Sequence, residues 1–150
     1  GKLVPARSRR LSSVDVGATV RAVDPHAEGI RYADVEFVVD PARVSAFRAV
    51  FGQSDGVPPT FLTAAEFEVF PQVIADPRVD LDFTKVVHGG QTYELLRPLR
   101  EGETLTVRAR IESVKVRAGT GFLTIAMDMV DGLGDPVART RSTMIERTLI

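Results

Sequence analysis

The sequence predicts an α+β domain in which a curved antiparallel sheet wraps around one long central helix. Thr60–Phe70 is apolar nearly all the way round, so that helix must be covered on most sides. From Lys85 onward the chain reads as strand after strand, joined by turns at Ala118–Gly121 and Asp131–Asp135 that are rich in Gly. With 150 residues, 44% of them hydrophobic, the chain has material for one core, so residues 1–150 are expected to form a single domain. Neither the helix nor the inner face of the sheet can stay wet, and the sheet therefore has to curl around the helix.

Taken in order, Gly1–Ser13 is polar and carries Arg7, Arg9 and Arg10. It reads as a flexible, solvated tail rather than a nucleic-acid or membrane contact. A strand follows from about Ile30 to Val39, with Val35, Phe37 and Val39 on one face. Asp40-Pro41 starts a short helix, Asp as N-cap and Pro pre-set for the first helical position. Val44, Phe47 and Phe51 recur at helical spacing, which predicts one buried face, and Gly52 ends the helix. After the turn Gln53–Gly56 comes the central helix, which Pro71 is expected to stop, and then a loop to about Asp82.

Lys85–Leu99 holds one or two strands. In Thr104–Val116, Leu105, Val107, Ala109 and Ile111 alternate with Thr106, Arg108, Arg110 and Glu112, and the parity then changes before Val114. That change predicts a bulge near Glu112-Ser113. Phe122–Val130 and Val137–Thr148 complete a meander. Such a unit leaves a strand edge open, and dimerisation through the edge is the expected remedy.

The composition excludes several function classes. A net charge of −1, no Trp and two Tyr leave little to neutralise phosphates or stack bases, so no nucleic-acid partner is expected. The absence of Cys removes disulfides, thiolate nucleophiles and Cys-ligated metals, and suits a cytoplasmic protein. No apolar run is long enough to cross a bilayer, no signal-peptide core precedes the domain, and position 1 is Gly rather than Met, which leaves the true start open. No His/Asp/Glu cluster has metal-ligand spacing, and Gly89-Gly90 lacks the Lys-Ser/Thr of a phosphate loop.

Three pieces have a wording that hydrophobic pattern alone does not demand: Pro58-Pro59-Thr60-Phe61, His88-Gly89-Gly90-Gln91 within Leu81–Leu99, and the turn Arg97–Gly102. Together they make roughly Val35 to Arg147 resemble the MaoC-like hydratase/dehydratase family, in its N-terminal-type, fatty-acid-synthase-like dehydratase form. The resemblance implies a hot-dog fold, no cofactor, and acyl thioesters of coenzyme A or acyl carrier protein as ligands. It also implies a homodimer, or a heterodimer with a related hot-dog subunit. The implied reaction is hydration of trans-2-enoyl thioesters or dehydration of 3-hydroxyacyl thioesters. That chemistry needs a base, an acid, and N–H donors for the thioester oxygen.

Catalytic members of the family carry Gly-Asp-x-Asn-Pro-x-His ahead of the central helix. Here Asp55 is the one acid in the matching region, Val57 stands at the Asn position and Thr60 five places after the Asp. Only Gly52–Pro58 separate Phe51 from Pro59, too few residues for the overhanging segment that normally carries the Asp/His pair. Two readings of Asp55 stay open: an ordinary Ser-Asp-Gly turn residue, or an acid whose His comes from elsewhere. Of the two histidines, His26 sits in a loop by composition, whereas His88 opens a strand beside two glycines, either as a hydrogen-bonded structural residue or as an active-site group.

The candidate catalytic residues are therefore Asp55 and His88. Thr60 and Phe61, whose N–H groups open the central helix, and Gly89 and Gly90 are the substrate-binding candidates. Given the altered motif, a non-catalytic partner that shapes the acyl tunnel is an equal reading. Glu66 and Glu68 interrupt the apolar helix. They point about 200° apart, so at least one faces solvent or a partner; a carboxylate on this helix is also the basis for a rival reading, a hot-dog acyl-CoA thioesterase.

Overall fold

A computed structural model of the chain describes residues 23–147. The Gly1–Ser13 tail and Thr148, the expected end of the last strand, lie outside the described residues. The elements are β1 (Val35–Val38), α1 (Pro41–Val50), α2 (Thr63–Ile74), β2 (Val86–Leu95), β3 (Thr104–Arg117), β4 (Thr120–Val130) and β5 (Pro136–Glu146). All five strands pair antiparallel in one sheet of order β1-β3-β4-β5-β2, which puts β1 and β2 at its edges.

One face of the sheet is the core. Leu105, Val107 and Ile111 of β3 and Leu123, Ile125, Met127 and Met129 of β4 are fully buried, and they share one cluster with Ala65, Val69 and Val73 of α2. This is the α+β hot-dog arrangement, a helix held by the inner face of an antiparallel sheet. The opposite face carries ion pairs, Arg110 with Asp128 at 2.8 Å and Arg141 with Glu112 at 2.9 Å. The expected bulge is present: β3 and β4 change register between Ile111 and Ser113, so that Ile111 and Val114 are both buried although three positions apart.

Several expectations need correction. The first strand is shorter than Ile30–Val39, yet its approach still follows β3: Arg31 bridges Arg110, and Tyr32 N–H donates to Ala109 O at 3.0 Å. In α1, Asp40 caps as expected, accepting from Ala42 N–H at 3.4 Å, but Phe51 is 61% exposed and covers the outer edge of Phe47.

The central helix begins later than expected, after a 3₁₀ turn over Pro59–Leu62, and Pro71 does not stop it. Pro71 removes one bond to the carbonyl of Phe67, and Ala75 N–H to Pro71 O at 3.1 Å then carries the helix on to Ile74. Nor is this helix covered all round, since Phe67 and Glu68 are exposed.

Candidate active site

The motif His88-Gly89-Gly90-Gln91 builds one wall of the site through its backbone. Along the β2–β5 ladder His88 faces Met144, Gly90 faces Thr143 and Gln91 faces Ser142, which leaves Gly89 as the extra residue of a bulge. In a regular strand His88 and Gln91 would point to opposite faces. The extra residue restores them to the same one, so that Val86, His88, Gln91 and Tyr93 all lie on the side of buried Thr140, Ser142 and Met144. Position 89 has no room for a side chain here, because a Cβ would fall 2.7 Å from Ile145 Cγ1.

The facing wall is α2. Thr63, Glu66, Phe67, Phe70 and Ile74 fall on one stripe of that helix and, with β2, Phe83 and Met144, line a cavity of about 680 Å³ that opens to solvent. That volume is in the range of small-molecule sites. The cavity has two chemical sides. Phe67, Phe70, Pro71, Ile74, Phe83, Val86 and Met144 are apolar, whereas Thr63, Glu66, His88, Gln91 and Tyr93 are polar.

The polar side is a set of paired groups. Gln91 Nε2 donates to Glu66 Oε2 at 3.0 Å, and Thr140 Oγ1 donates to the same oxygen at 3.3 Å. His88 Nε2 is 3.0 Å from Ser142 Oγ, and the Thr63 and Tyr93 hydroxyls are hydrogen-bonded to each other. Glu66 is 0% exposed, and its Oε1 has no hydrogen-bond partner. Burial pushes its carboxyl up to about 7, against the opposing effect of the bonds from Gln91 and Thr140. Burial also raises the Tyr93 phenol, to which the nearby Glu66 charge adds, while the bond to Thr63 lowers it.

Of the residues the sequence singles out, His88 lines this cavity and Asp55 does not; Asp55 is exposed in the loop between the two helices. The structure does not bring the two together at the cavity. Thr60 is exposed, Phe61 is buried between Phe37 and Phe47, and the Phe61 N–H is already donated to Pro58 O at 2.9 Å, so neither residue reaches the cavity. Gly89 and Gly90 lie on the exposed edge strand, and neither is among the residues that line the cavity. His26 is on the surface, bonded to Asp24.

Of the two helix carboxylates, Glu68 is the outward one and Glu66 the inward one. Gln91, Tyr93, Thr63, Thr140 and Ser142 were not legible as site residues; the parity change between Val86 and Tyr93 was the available signal. Among the described residues no group of three or more His, Asp or Glu could hold a metal ion, and no helix is long and apolar enough to cross a membrane.

Fold and site together define a hot-dog domain with a cavity of about 680 Å³ beside its central helix. Residues 8–140 match the family described as the FAS1-like dehydratase domain region, and the chain belongs to that family. Among its relatives is a UPF0336 protein of Streptomyces avermitilis, 36% identical over 140 residues that cover 88% of this chain and 92% of the relative. Among solved structures it is similar to the C-terminally truncated HadBC (3R-hydroxyacyl-ACP dehydratase) complex of Mycobacterium tuberculosis, with TM-score 0.69 and 20% identity over 79% of this chain and 96% of that one. It is also similar to the (R)-hydratase from A. caviae involved in PHA biosynthesis, with TM-score 0.59 and 13% identity over 78% and 94% of the two chains.

Proposed function

We propose that this chain is the acyl-thioester-binding subunit of a 3-hydroxyacyl/enoyl-thioester dehydratase or hydratase, taking thioesters of coenzyme A or acyl carrier protein, and that a second hot-dog chain supplies the acid/base pair. The observation that carries this reading is the cavity of about 680 Å³ between α2 and β2, apolar along most of its wall, while Asp55 stays outside it. His88 lines the cavity, with Nε2 3.0 Å from Ser142 Oγ, but that partner is a hydroxyl and not a carboxylate. An acid/base pair needs both groups within reach of the same substrate carbons. The similar HadBC is a 3R-hydroxyacyl-ACP dehydratase complex, which supports pairing with a related chain. The edge strand β2, with Val87 43% exposed and the glycines beside it, is a surface on which such a chain can add its own strand.

The test is absorbance at the enoyl-thioester band with crotonyl- and decenoyl-coenzyme A, first with the chain alone and then with a hot-dog chain that carries the Asp/His pair. The expected result is acyl-thioester binding without turnover by the isolated chain, and turnover in the mixture. Hydration by the chain alone, abolished by His88→Ala or Asp55→Asn, would overturn the partner reading in favour of an autonomous hydratase. A second reading, hydrolysis of the thioester, is favoured by one observation, a buried carboxyl at the cavity wall whose affinity for a proton is near neutrality. Release of free thiol from decanoyl-coenzyme A, lost in Glu66→Gln, would select it.

A further inference from the structure

A plain alkyl chain needs no polar wall. Burying hydroxyls, an amide and a carboxyl beside one is a cost that folding does not require, since polar groups taken out of water must find partners. Yet Thr140 and Ser142 stand in the buried row of β5, Glu66 is 0% exposed on α2, and the bulge at Gly89 exists in a form that brings His88 and Gln91 to the same side. Within this group one atom is left over. Glu66 Oε2 accepts two hydrogen bonds, and Oε1 accepts and donates none. Because Oε2 is already an acceptor twice over, a proton on this carboxyl belongs on Oε1, where it forms an O–H directed at no protein group.

We infer that Glu66 is a specificity residue that recognises an oxygen atom carried by the acyl chain inside the cavity, a hydroxyl or a carbonyl on an otherwise apolar tail. This rests on the acyl-thioester reading above and adds to it the kind of chain that is selected. The oxygen accepts from the Glu66 O–H, or, as a hydroxyl, donates to Oε1 when the carboxyl is ionised. Glu66 has no accessible surface, so the wall has to part for the contact to form. Met144, unbranched and adaptable, and Gln91, half-buried on the edge strand, are the wall residues able to yield.

The experiment is calorimetric titration of the full chain, in the oligomer in which it purifies, with decanoyl-pantetheine and with 5-, 7- and 9-hydroxydecanoyl-pantetheine. At least one hydroxylated isomer should bind about tenfold more tightly than the plain chain, the effect of one satisfied buried hydrogen bond. The preference should vanish in Glu66→Leu and persist in Glu66→Gln, whose amide can donate from the same place. Equal affinity for plain and hydroxylated chains, or a preference that survives Glu66→Leu, overturns the inference and leaves the acyl reading standing. If no acyl-pantetheine binds, the acyl reading falls and the inference with it. Should Glu66→Leu fail to fold, the carboxyl ¹³C resonance of Glu66 in the unaltered chain decides: it moves with the preferred hydroxylated isomer and not with decanoyl-pantetheine, and no movement with either overturns the inference.

Discussion

Replacing Glu66 by Gln should make the protein more stable at alkaline pH and leave it nearly unchanged at pH 4. The carboxyl is raised from its ordinary 4.5 to about 7 by burial, so the folded chain holds a proton there that the unfolded chain has released. Between those two values the folded state binds more protons than the unfolded one, and stability falls as pH rises. The contribution is fully present below pH 4.5 and is lost as pH passes through about 7. At roughly 1.4 kcal/mol per pH unit between the two values, the loss by pH 8 comes to about 3 kcal/mol, taken as an upper figure.

Gln reproduces the neutral acid. Its carbonyl takes the place of Oε2 and accepts from Gln91 and Thr140, and its NH₂ stands where the proton was. Urea unfolding of both proteins at pH 4, 5, 6, 7 and 8 should therefore give a difference in favour of Glu66→Gln that is near zero at pH 4, under about 1 kcal/mol at pH 5 and about 3 kcal/mol at pH 8. Asp76 does not disturb this window. Bonds from Arg78 hold its carboxyl down at about 2, so its contribution is present above pH 3.8 and is lost only as pH falls through about 2. A difference that stays flat from pH 5 to pH 8 would refute the argument, because it would mean that Glu66 is ionised in the folded chain throughout.

Three further changes test the site and its frame. Gly89→Ala forces a Cβ against Ile145, so it should cost about 1–2 kcal/mol in urea unfolding and be partly rescued by Ile145→Ala; additive losses would mean that the bulge rather than the contact is at fault. Asp55→Asn should leave decanoyl-pantetheine affinity unchanged, since Asp55 is exposed and does not line the cavity, and a clear loss in calorimetry would place it in the site after all. Glu146 accepts from the Val23 and Asp82 N–H groups at 3.1 and 2.7 Å, so Glu146→Gln should cost about 1–3 kcal/mol and speed amide exchange at those two positions, with unchanged exchange counting against the clip.

What the sequence discloses depends on whether an element is set by apolar parity. The bulge of β3 is legible because Ile111 and Val114 are both apolar and their spacing breaks the alternation. The bulge of β2 obeys the same geometry and is hidden, because the residues it realigns are His88 and Gln91, and a polar residue on a strand reads as solvent-facing. Val86 on one side and Tyr93 and Leu95 on the other do change parity, but only with the cavity face known does that change acquire a meaning. The same blindness affects α2. Apolar residues all round suggest full cover, whereas Phe67 is 64% exposed and Phe70, packed against the core, also lines the cavity, so hydrophobicity there does not report burial alone.

The family motif misleads about the site for a related physical reason. A resemblance directs attention to the segment ahead of the central helix, where the expected acid is Asp55, but Asp55 is exposed and does not line the cavity. Of the titratable groups that line the cavity, Glu66 comes from the middle of α2 and His88 and Tyr93 from the edge strand β2, and the loop contributes none. The place of His88 there depends on one residue without a side chain. Remove the extra position at Gly89 and His88 turns outward while Gln91 stays against Glu66, so the carboxyl keeps its partner and the cavity loses its imidazole. Loss of His88 from the cavity is thus separable from loss of the Glu66 cluster. Deleting Gly89 should abolish any function that needs His88 while preserving the pH-dependent stability that Glu66 confers.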